Sequence, residues 1–225
     1  MPARSSGFTL LEMIVVVVIL GITAAFAIPS WQRIQRDSRL KGVARDVSNA
    51  LAYARSQAIL SERVHIVYFG MGPATDACGN PLQDANGNAV PVLVLDDGPL
   101  GSAGQNCCID LGEAIMTEPA VPDVFWGASF AAAAPGDDTG AGNFLTGSTF
   151  ADPLGAQTRW VAFRGDGVPV GFTAACVLGQ TGTGRGGIYV TNGPPWQSRD
   201  YAVVLSPLGG SKVYAFERGT GTWTN

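Results

Sequence analysis

Residues 7–13, Gly-Phe-Thr-Leu-Leu-Glu-Met, put an acid where an apolar segment would ordinarily exclude one. Glu12 is the single charge in residues 8–28. A carboxylate in hydrocarbon is costly, so one retained there calls for a partner. The second set of residues suited to chemistry is Cys78, Cys107, Cys108 and Cys176. An even count favours disulfides over free thiols in an exported domain. A bridge between the adjacent Cys107 and Cys108 would be strained, so Cys78 and Cys176 are each expected to take one of that pair, with both pairings open. Metal binding is disfavoured, because there is no C-x-x-C and His65 is the only histidine.

The remaining motifs do not amount to a site. Residues 182–187 contain G-x-G-x-x-G, but a dinucleotide site needs a helix next, and Ile188-Tyr189-Val190 is a strand signal. Asp84, Asn86 and Asn88 alternate as in a calcium loop, yet Ala89 stands where its glycine should be and the distal glutamate is missing, so a surface turn is expected. Arg185, Arg199 and Arg218 are too sparse for a phosphate-binding stripe, and DNA binding is not expected. There is no G-x-S-x-G elbow and no P-loop. Neither an enzyme nor a cofactor is expected.

These residues need elements to hold them. Residues 8–28 would span roughly 30 Å as a helix, enough to cross a hydrocarbon core once. Arg4 in the short arm before them favours a cytoplasmic N-terminus. Gly21 and Pro29 are that helix's weak points. Residues 29–63 continue it as an amphipathic stem, with Leu40, Val43, Ala44, Val47, Ala50, Leu51, Ala54 and Ala58 recurring three and four apart. Residues 64–225 read as a β-rich head. Strands are expected at 64–69, 92–95, 159–164, 168–173, 187–191, 201–205 and 212–216, with hairpin turns at 165–167 and 208–210. Residues 131–142 read as a mobile loop.

Charge is unevenly spread. Residues 64–158 carry eleven acids and neither lysine nor arginine, whereas the stem is basic and the last third mildly so. Residues 70–158 therefore stand out as an acidic insert. Such halves could attract one another between copies, although each also serves as a solvated face.

The opening segment resembles the N-terminus of type IV pilins and type II secretion pseudopilins. That resemblance implies a leader of residues 1–7, cleavage by a prepilin peptidase between Gly7 and Phe8, and methylation of the new amino terminus at Phe8. It also implies that Glu12 meets the freed amino group of a neighbouring subunit, and that Gly21 and Pro29 let the helix bend or partly melt on assembly. Residues 51–59, with Ala54-Arg55-Ser56-Gln57-Ala58-Ile59, are similar to the end of the long helix in the GspH/FimT/FimU group of minor pilins and pseudopilins. The implied fold is α+β: one long N-terminal helix packed on an antiparallel β-sheet head. The implied place is a single inner-membrane pass with a periplasmic head, moving to the tip of a pilus or pseudopilus. Other minor pilins or pseudopilins, the major subunit and the assembly platform would be its partners. Three further uses compete with priming a type IV pilus: a protein H-like secretion pseudopilin, a DNA-binding minor pilin for transformation, and a secreted binding domain. The last requires a signal peptide cut after Ala27, at Ala25-Phe26-Ala27.

Overall fold

The computed structural model describes residues 9–71, 74–102, 104–110, 112–192 and 199–225. One helix, α1 (Leu10–Ser61), runs for 52 residues, roughly 80 Å. Thr9 caps it, its hydroxyl accepting the Glu12 backbone N–H at 3.2 Å. Glu62, in the left-handed conformation, ends it. Pro29 lies inside α1 and the helix continues through it.

The head contains two five-stranded antiparallel sheets, where one was expected. The first has the order β3 (Ala114–Glu118), β2 (Val92–Asp96), β1 (His65–Phe69), β5 (Trp160–Phe163), β6 (Pro169–Val170). The second runs β10 (Thr222–Thr224), β9 (Ser211–Glu217), β8 (Asp200–Leu205), β7 (Gly186–Asn192), β4 (Val124–Trp126). In register, His65 opposes Asp96 on one side and Phe163 on the other.

Both sheets turn a face to the same side of α1. Val67, Phe69, Val92, Val94, Val161 and Phe163 from the first meet Ile188, Val190, Tyr201, Val203 and Leu205 from the second around the buried stripe of the stem. The alanines of that stripe let the backbones approach closely. The opposite faces are covered too. Leu82, Val90, Cys107 and Phe172 lie over Ile66, Tyr68, Leu93 and Leu95, and Phe144 and Trp223 lie over Tyr189, Ala202 and Val204. Strands buried on both faces read as unbroken apolar runs, which is why β1, β2, β7 and β8 are so hydrophobic.

One turn recurs at Asp76, Asp84, Asp152, Arg164, Thr173 and Ser206. Each of these residues donates its N–H to the carbonyl four residues on and accepts from the N–H three residues on. The fourth residue is left-handed: Gly79, Gly87, Gly155, Gly167 and Gly209 in five copies, Cys176 in the sixth. This is a type I turn closed by a left-handed bulge residue.

Residues 131–142, expected to be loose, are tied down. Asp138 accepts hydrogen bonds from the hydroxyls of Tyr189 and Thr149, Asp137 pairs with Lys212 at 2.7 Å, and Trp223 Nε1 donates to the Ala133 carbonyl at 2.8 Å.

Candidate functional site

The site predicted from sequence lies along α1. Gly7, Phe8 and Arg4 fall outside the described residues. Glu12 sits in the first turn of the helix, exposed, with its N–H held by Thr9. The Thr9-x-x-Glu12 spacing is the capping-box signature before an apolar run, a signal that sequence reading passed over. Thr9 satisfies one of the orphan N–H groups of the helix start and fixes where helix begins.

From Leu10 to Ile34 the large apolar side chains are all exposed, and the first buried residue of the helix is Leu40. About 45 Å of helix therefore projects from the head with its hydrophobic surface uncovered. This part of α1 is long and apolar enough to cross a membrane, by length and composition. Gly21 has open space around its Cα, and Pro29 lies near the end of the apolar run. Beyond it, Trp31, Arg33, Arg39, Lys41 and Arg45 are exposed, while Asp37 faces the Tyr201 hydroxyl at 3.5 Å. Burial, then the neighbouring Asp37 charge, hold the Tyr201 phenol above its ordinary pKa.

Near its other end, α1 is locked to the head through Arg55. Its Nη1 donates to the Gly209 carbonyl at 3.2 Å. A Cβ at Gly209 would lie 2.9 Å from Arg55 Nε, and one at Gly167 would lie 2.6 Å from Ile59. Arg55 and Ile59 thus seat against one hairpin turn from each sheet, each directly after a fully buried alanine, Ala54 and Ala58. The A-R-S-x-A-I stretch has this packing as its physical content.

The cysteines pair Cys78 with Cys108 and Cys107 with Cys176, as the sequence reading allowed, and none is free. Both bridges fasten the loops lying over the outer face of the first sheet, to which Cys107 contributes directly.

The minor motifs resolve locally. Asp84 Oδ1 accepts the N–H groups of Asn86 and Asn88 at 2.9 and 2.8 Å, and Oδ2 accepts Asn88 Nδ2 at 3.0 Å. These bonds, led by the Asn88 side chain, lower the Asp84 pKa. The carboxylate is occupied by its own turn. The G-x-G-x-x-G stretch leads into β7, not a helix. Arg185 donates to the Thr139 carbonyl at 3.1 Å, Arg199 pairs with Glu217 at 2.9 Å, and Arg218 lies over the Phe130 ring at 3.2 Å. Each arginine weighed for phosphate binding is engaged by the head itself.

Residues 2–28 match the family described as the prokaryotic N-terminal methylation motif. No curated protein and no solved structure matches the chain. The motif supports a type IV pilin-like precursor, processed by a prepilin peptidase and assembled with other pilins, and the apolar helix is consistent with membrane anchoring.

Proposed function

We propose that this chain is a minor subunit of a type IV pilus, placed at or near its tip, where it primes assembly by packing its helix with those of other minor subunits. The observation that carries this is a helix in two regimes: an uncovered apolar half bearing Glu12, and a half clamped by both sheets along one stripe. Such a helix has no use for its outer end within its own fold. A membrane first, and then neighbouring helices, would cover it. The resemblance of residues 51–59 to the GspH/FimT/FimU group favours a minor subunit. The role is one of contact, without turnover or cofactor.

Orientation follows from the disulfides more than from charge. Arg33, Arg36, Arg39 and Lys41 outnumber Arg4, so counting basic residues on the two flanks would draw the head inward. Two bridges favour an oxidising compartment for the head, hence a periplasmic one. A secretion pseudopilus would use the same features, and co-purification with pilus or with secretion components separates the two.

The mature N-terminus is the decisive measurement. Mass spectrometry of membrane-extracted protein should find methylated Phe8, and Gly7→Val should leave the precursor uncut. A chain beginning at Ile28 would end this reading and make the protein a secreted domain.

A further inference from the structure

Asp97 follows β2 directly and is fully buried. Its Oδ1 accepts the backbone N–H of Cys107 at 2.8 Å and that of Asn106 at 3.2 Å. Its Oδ2 is also buried and has no hydrogen-bond partner among the described residues. A carboxylate oxygen of Asp97 and the sulfurs of Cys107 and Cys176 lie within 4.8 Å of one another. The other bridge offers a contrast. Asp76, beside Cys78, has both oxygens occupied: Oδ1 by the N–H groups of Cys78 and Asn80, Oδ2 by Asn80 Nδ2 and the N–H of Ile109. No such trio forms around Cys78 and Cys108 among the described residues.

A buried carboxylate oxygen without a donor costs free energy and asks for a reason. The two cysteines beside it suggest one. Cys107 is fully buried, where a thiol ionises poorly. Cys176 is half-exposed in a surface turn. A disulfide reagent arriving from solvent therefore meets Cys176 first, and the slow step is loss of the proton from buried Cys107.

We propose that Asp97 is the general base that closes the Cys107–Cys176 bridge, and the acid that reopens it. The Cys176 thiolate attacks a small-molecule or protein disulfide, forming a mixed disulfide and releasing the first thiolate. Cys107 then gives its proton to the Asp97 carboxylate as its sulfur bonds to Cys176, and the second thiolate leaves. Asp97 returns the proton to solvent or to that leaving group. Two thiols are oxidised and one external disulfide is reduced to two thiols. Opening by an external thiol runs the same path backward.

Burial, the dominant influence, pushes the Asp97 pKa up to about 6, against the lowering effect of the Cys107 and Asn106 N–H groups. The nearby Glu113 and Asp96 charges push the same way as burial, and Asp96 is itself paired with Arg63 at 2.9 Å. A base of that strength is charged at neutral pH and still accepts a proton readily. Tyr68, whose hydroxyl donates to the Cys107 carbonyl, is no competitor: burial, with Asp76 and Asp97 nearby, holds its phenol neutral.

The test uses the full chain in detergent micelles, reduced and then exposed to oxidised glutathione at pH 5 to 8. Decay of the Cys176–glutathione mixed disulfide is followed by acid quench and peptide mass mapping, with Cys78–Cys108 as internal comparison. Closure of Cys107–Cys176 should level off above about pH 6–7, whereas Cys78–Cys108 should keep rising about tenfold per pH unit toward the ordinary thiol pKa of about 8.5. Asp97→Asn should slow Cys107–Cys176 about tenfold or more at pH 7 and give it the steeper profile, leaving the other bridge unchanged. Identical pH profiles for both wild-type bridges, or an unchanged profile in Asp97→Asn, would overturn the proposal. If circular dichroism shows Asp97→Asn to be unfolded, the comparison of the two wild-type bridges decides alone.

Discussion

Glu12 combines an acid, an apolar helix and a capped first turn. Its own helix leaves the carboxylate exposed, and under the proposed function its role lies between subunits. In low dielectric an ion pair with a neighbour's amino group would be strong, but desolvation would offset much of it, which would make register its main product. Glu12→Ala should therefore be processed and inserted normally yet appear several-fold less in sheared filaments, measured by immunoblot; wild-type amounts there would remove Glu12 as the docking contact. Two buried residues in the head oppose each other in pH dependence. Burial lowers the His65 pKa, so its stabilising effect is lost as pH falls through and below its unfolded value of about 6.5. Asp97, raised to about 6, acts in the other sense: its folded form holds a proton that the unfolded chain has released, so stability falls as pH rises from about 4 to 6. Over that window Asp97 is worth up to about 3 kcal/mol. In urea unfolding from pH 4 to 7, Asp97→Asn should become less stable toward acid than the wild type, and His65→Gln should show the reverse slope.

At the scale of elements, the six copies of one turn set what each position tolerates. Cys176 occupies a left-handed position that glycine fills elsewhere, at a cost of roughly 1–2 kcal/mol for a side-chain-bearing residue. The bridge to Cys107 offsets this with about 2–4 kcal/mol. With Cys107 replaced by Ala, Cys176→Gly should be more stable than Cys176→Ala by about 1 kcal/mol in urea midpoints; without the bridge, glycine is the better residue. The sequence showed the turns at 84–88, 165–167 and 208–210 but not those at Asp76, Asp152 and Thr173. It showed β1, β2, β5, β7 and β8 because burial on both faces leaves continuous apolar runs, and the largely half-buried β9 through its Val213-Tyr214-Ala215-Phe216 run. It hid β3, β4 and β10. These are edge strands, half-exposed and in two cases three residues long, so neither alternation nor a long run marks them. The split into two sheets was hidden too, since β1 pairs with β5 across some ninety residues of chain. Asp137 and Asp138 misled in the opposite direction: acids in an alanine- and glycine-rich stretch look solvated, and their partners lie on β7 and β9.

For the whole molecule, the helix is an element that both sheets share. Ala54 and Ala52 sit two residues apart on opposite sides of it, the first fully buried and the second exposed. Ala54→Leu should lower the head's stability by about 1–3 kcal/mol through overpacking, whereas Ala52→Leu should leave thermal unfolding unchanged. Arg55→Ala removes the contact with the Gly209 carbonyl and should cost about 1.5–3 kcal/mol, with hydrogen exchange rising at both the 164–168 and 206–210 turns. Exchange confined to one turn would show that Arg55 serves a single sheet.

The seam from Leu40 to Ala58 also has a mechanical meaning. It extends for roughly 27 Å along the helix axis, and its contacts are distributed over two sheets. Tension applied at the apolar end of the helix cannot peel the head away one residue at a time. It loads the entire seam in shear, so the head behaves as a grip on a rod. A subunit drawn out of a bilayer by its helix would carry its folded head along intact.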